Sequence, residues 1–112
     1  MSVFDQDKID KGIIPIELDT MKEHEFEMIW GTNIQTPTYI KTFKVSSMRK
    51  CWWIDCVVEG SWTGFHMRFR TLTHWVPRRF KNSVKVRSVE DVLDIVNQFT
   101  KWCLAHQKYI IK

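Results

Sequence analysis

The run Cys51-Trp52-Trp53-Ile54-Asp55-Cys56-Val57-Val58 is apolar at odd and even positions alike, with Asp55 the one exception. Successive side chains of a strand point to opposite faces, so this segment has no solvent face. It reads as a central strand, covered on both sides or nearly so. The rest of a 112-residue chain must supply that cover. That length suits one domain, residues 1–112, burying roughly 65% of the surface its unfolded chain exposes. The chain is 44% hydrophobic and 27% charged, which excludes a disordered or low-complexity protein.

Further strands flank the central one. Residues 38–45 put Tyr39, Phe43 and Val45 on one face and Ile40, Thr42 and Lys44 on the other. Residues 46–50 supply the turn into the central strand, and Glu59-Gly60-Ser61 the turn out of it. Residues 62–72 then run back, with Phe65, Met67 and Phe69 alternating with His66, Arg68 and Arg70, so the basic side chains lie on the outer face. Upstream, residues 23–30 alternate almost perfectly, with His24, Phe26, Met28 and Trp30 on one side. A strand is the preferred reading there, against a helix from Thr20 that glutamate and methionine would favour. Ile13, Ile14, Ile16 and Leu18 fit a short edge strand around Pro15.

The C-terminal third reads as a helix. Ser88 is an N-cap with Asp91 three residues on, and Glu90, Asp91 and Asp94 sit where the helix dipole favours negative charge. Val89, Val92, Leu93, Val96, Phe99 and Cys103 form one apolar stripe, widened by Ile95 and Trp102. The helix is expected to end near Gln107, leaving residues 108–112 as a tail or an edge strand. Residues 73–82 (THWVPRRFKN) read as a loop stiffened by Pro77, and Val84 and Val86 as a short strand. The fold class is α+β: an antiparallel sheet of four to five strands with one long C-terminal helix packed on one face.

Charge is polarised along the chain. Residues 1–27 carry eight acids against three lysines, a net of −5, whereas residues 60–88 carry seven cations and no acid. Within that basic tract the candidate binding residues are Arg68, Arg70, Trp75, Arg78, Arg79, Phe80, Lys81, Lys85 and Arg87. Cations that track phosphates beside rings that stack on bases are what nucleic-acid binders use. Arginine and tryptophan are also the residues enriched at protein interface hot spots. A third account is intramolecular, with the acidic N-terminal segment neutralising the basic one across the sheet.

Catalytic and metal chemistry find little support. Cys51 and Cys56 have four residues between them and face opposite sides of a strand, and the four histidines are scattered, so no metal site is expected. A thiol at Cys51 or Cys56 with His66 and Asp55 is conceivable, but apolar neighbours would raise its pKa and blunt it. No nucleophile elbow and no glycine-rich phosphate loop occurs, so no cofactor is expected. The odd count of three cysteines and the acidic, mixed N-terminus point to a reduced, cytoplasmic setting. The longest uncharged stretch, residues 28–40, falls short of the about 20 apolar residues a membrane span requires.

The sequence thus points to a small non-enzymatic binding protein that engages nucleic acid or another polyanion through residues 62–87. The alternative is a protein-binding adaptor or inhibitor that docks an acidic protein surface with the same residues, or a homodimer formed through the spare apolar sheet face. A thiol-dependent enzyme is a distant third.

Overall fold

A computed structural model describes residues 15–29, 37–48, 50–61, 63–71, 75–106 and 108–111. The acidic residues 1–14 and the expectations placed on Ile13, Ile14, Trp30, Trp62 and Gln107 lie outside them. β3 (Lys50–Ser61) takes the centre of the sheet, as expected, but the cover expected on its second face is incomplete among the described residues, with Cys51 and Trp53 exposed. It pairs antiparallel with β2 (Thr38–Ser47) and with β4 (Gly64–Arg70). β1 (Glu27–Ile29) lies outside β2 and β5 (Val84–Val86) outside β4, completing a five-strand antiparallel path. A sixth short strand, β6 (Tyr109–Ile111), pairs with Lys44, Val45 and Ser46 of β2, on the edge where β1 pairs with Thr38, Tyr39 and Ile40.

One turn is placed differently from the sequence reading. β3 runs through Gly60 to Ser61, so the turn into β4 comes after the expected Glu59-Gly60-Ser61. Glycine suits this strand position, because a Cβ there would stand 3.0 Å from the Phe65 ring and 3.1 Å from the Pro37 carbonyl oxygen. The β2–β3 turn falls where expected, with Met48 in the left-handed region at its tip.

The strand expected over residues 23–30 is shortened to β1 (Glu27–Ile29), and a short helix, α1 (Leu18–Glu23), precedes it, close to the competing reading of a helix from Thr20. Capping decides it. The Glu17 N–H donates to Thr20 Oγ1 at 3.2 Å. At the other end Phe26 N–H bonds the Met21 carbonyl and Glu25 N–H the Lys22 carbonyl, both at 3.0 Å, with Glu25 at φ 66°. That is a Schellman stop, with Met21 and Phe26 buried as its apolar contact. Leu18 joins this helix rather than an edge strand.

Residues 75–82 contain a single helical turn, α2 (Arg78–Lys81), where an irregular loop was expected. Pro77 caps it, and its carbonyl accepts from Phe80 N–H at 2.9 Å. α3 (Val89–Ala105) starts as read: Ser88 Oγ accepts from Asp91 N–H at 3.3 Å, and Asp91 Oδ2 accepts from Arg87 N–H at 2.9 Å. It buries Val89, Val92, Phe99, Trp102 and Cys103, ends at Ala105, and leaves the tail to form β6.

α3 and the two short helices cover one sheet face. Phe99 of α3 stacks on Phe69 of β4 with ring centroids 4.2 Å apart, and Phe43 of β2 approaches it at 5.6 Å. Phe80 meets both Phe69 and Phe99 edge-on, at 5.5 and 5.6 Å, which pins α2 against the sheet. The opposite face of the sheet carries no helix among the described residues.

Candidate functional site

Register fixes which cations are available. On the helix-free face Arg70 stands opposite Asp55 and Arg68 opposite Val57, next to Glu59. Arg70 Nη2 lies 3.3 Å from Asp55 Oδ2, and Arg68 Nη2 lies 3.4 Å from Glu59 Oε1. Asp55 also accepts a 2.7 Å hydrogen bond from Thr42 Oγ1. The arginines of β4 therefore lie on the outer face, as expected, but acids of the neighbouring strand neutralise them. Lys85 joins this face opposite His66. Trp53 is 60% exposed there, with Lys44 Nζ 5.6 Å from its ring, while Val57 is buried. Among the described residues, the large apolar side chains left exposed on this face are Trp53 and, at the β1 edge, Ile29.

A second basic region forms on the helix side, at the C-terminal end of α3. Trp75 is 69% exposed, and its ring centroid lies 6.2 Å from that of Trp102. A groove of about 420 Å³ beside it is lined by Ser47, Met48, Lys50, Trp52, Trp75 and Lys108. Another, of about 320 Å³, is lined by Arg79, Gln98, Lys101, Trp102, Ala105 and His106. Trp102 joins the two, because Lys108 Nζ sits 5.1 Å over its ring and the His106 ring lies tilted against it at 5.1 Å. The Trp102 carbonyl accepts from His106 Nδ1 at 2.9 Å, which holds that imidazole in place. Four lysines and arginines line these grooves with no carboxylate, and none of the four has an ion-pair partner among the described residues.

The structure divides the sequence-derived patch. Trp75 and Arg79 belong to the corner, and Arg78 and Lys81 are exposed on the same short helix as Arg79. Arg68, Arg70 and Lys85 lie on the opposite face, and exposed Arg87 just before the α3 cap. Phe80 is corrected from contact to anchor: it is 2% exposed, packed into the aromatic core, with the Arg79 guanidinium 4.7 Å from its ring centre. Lys50, Lys101, His106 and Lys108 are additions. Gln98, Lys101 and Ala105 share a helix stripe that spacing alone could have revealed. Lys50 and Lys108 meet only through the β2–β3 hairpin and β6.

The thiols do not assemble a nucleophilic pair. Cys56 faces the core opposite Phe69, whereas Asp55 and His66 point to the other face. Burial pushes the Cys56 thiol up to about 12 and that of Cys103 up to about 11. Cys51 is exposed, contrary to the interior reading, but it pairs with Ser46 at the far end of β3 from His66. Among the described residues no group of three or more His, Cys, Asp or Glu converges as a metal site, and no helix is long and apolar enough to cross a membrane. Comparison with known proteins finds no matching family model, no matching curated protein and no matching solved structure.

Proposed function

We propose that this chain is a non-enzymatic, cytoplasmic binding protein that engages nucleic acid or another polyanion through the basic–aromatic corner around Trp75. One observation carries the reading. Lys50 and Lys108 line a groove with the exposed Trp75, and Arg79 and Lys101 line a second groove with Trp102, the ring beside Trp75, with no acid in either lining. An anion gains most where the cations it meets are not already neutralised. The contrasting pairs on β4 meet that condition less well, since Arg68 and Arg70 each hold a carboxylate.

A protein partner is the second reading, favoured by Met48 at 88% and Leu104 at 60% exposure near the same end of the molecule. Salt separates the two. Neutralising phosphates releases counterions, so polyanion affinity falls steeply with salt, whereas an apolar interface responds little. Fluorescence anisotropy with labelled DNA and RNA at low and moderate salt is the test. Binding that weakens steeply with salt supports the proposal, and no binding at low salt overturns it.

A further inference from the structure

Resting on the anion-binding reading, we infer that the corner takes single-stranded nucleic acid, with one unpaired base stacked on Trp75 and the flanking phosphates in the two grooves. An exposed tryptophan is ordinarily a cost, since its apolar surface stays in water. Here the backbone is anchored directly after the ring. Val76, the next residue, is completely buried, and Pro77 after it fixes its own backbone torsion as the cap of α2. Behind Trp75 stands Trp102, whose ring lies 6.1 Å from Phe99 and 6.2 Å from Phe80. The indole thus stands beside a ring that is packed into the core, a setting that limits the ordering entropy lost when something stacks on it.

The charges fit the same ligand. Lys50 and Lys108 line one groove and Arg79 and Lys101 the other, with the Trp75–Trp102 pair between them. A single strand offers this alternation of phosphate, base and phosphate, and every base has a face that can stack. A duplex hides its base faces inside the helix and would leave Trp75 unused. A base-free polyanion would use the cations alone. Trp53, the other widely exposed indole among the described residues, lacks the arrangement: a lysine lies over its ring, and the acidic Asp55 is two residues on along the same face.

The experiment compares three ligands on the full chain at low salt: labelled oligothymidylate, the corresponding duplex, and inorganic polyphosphate. Oligothymidylate should bind most tightly and quench tryptophan emission. Trp75→Ala should weaken it about 5- to 150-fold, the loss expected for one stacked base, while leaving polyphosphate affinity within about twofold. Trp75→Phe, which keeps a ring, should recover part of the loss, and Trp53→Ala should change nothing. Equal binding of all three ligands, or an oligothymidylate affinity indifferent to Trp75→Ala, overturns the single-strand inference and leaves the polyanion reading standing. Failure to bind any of the three overturns both.

Discussion

Arg68 and Arg79 come from one acid-free stretch of sequence, yet they end in opposite situations. Arg68 lies on the helix-free sheet face, where strand register sets Glu59 beside it, as it sets Asp55 beside Arg70. Arg79 lies on a one-turn helix at the end of α3, where its neighbours are Lys101, Trp102 and His106. Exposed ion pairs contribute little to stability, but they reduce what a cation can offer a ligand. The comparison teaches that a basic segment is not a basic surface. Pairing with the next strand decides which of its charges remain available.

The largest expected effect breaks the corner at its root. Phe80→Ala should destabilise the protein by about 3–5 kcal/mol, because it removes a ring packed against Phe69, Phe99 and Trp102. Denaturant unfolding measures it. Unchanged stability with lost binding would instead make Phe80 a direct contact.

The core that both regions share should show in its thiols. An exposed Cys51 should label in the native state, and Cys56 and Cys103 only on unfolding. A thiol in the unfolded chain ionises near 9.0, while folding keeps Cys56 protonated to about 12. The folded state thus holds its proton more tightly. Its contribution is complete below pH 9.0 and is lost as pH rises toward 12. Denaturant midpoints above pH 9.0 should fall less steeply for Cys56→Ala than for the wild type.

A third change would erase the contrast. Asp55→Asn with Glu59→Gln should free both arginines of β4 and turn the sheet face into a second anion-binding surface. Titration with oligothymidylate at low salt should then show a second site, whose own log–log salt slope is about −1.4 for its two phosphate contacts. No change would mean that the face is sterically unsuited whatever its charge. The smallest effect concerns stability: Arg68→Ala and Arg70→Ala should each cost about 0.2–1 kcal/mol in denaturant unfolding, as exposed pairs do. A larger loss would make them structural members of the sheet.

Legibility followed the range of the determining interactions. α3 was readable because its cap at Ser88 and its apolar stripe are both local. β3 was readable because a two-sided apolar run has few places to go. The alternation around Met28 correctly marked a strand but overran its start, because the cap between Glu17 and Thr20 and the stop at Glu25 in left-handed geometry, a residue type that rarely marks one, close a helix over Leu18–Glu23. The outer-face placement of Arg68 and Arg70 was readable from alternation, but their neutralisation required the β3–β4 register. The corner was only half visible. Trp75 and Arg79 stood out by composition, whereas Lys50 and Lys108 reach it from a hairpin tip and from the stretch between α3 and β6.

The central claim is that the corner, and not the strand face, carries the binding charge. It is tested most directly by comparing two double variants of equal charge loss, Arg79→Ala/Lys101→Ala and Arg68→Ala/Arg70→Ala, in the salt dependence of oligothymidylate binding. The corner variant should lose about 1.4 from the log–log slope, as two phosphate contacts disappear, while the strand variant keeps the wild-type slope. A slope lost by the strand variant and retained by the corner variant would contradict the account.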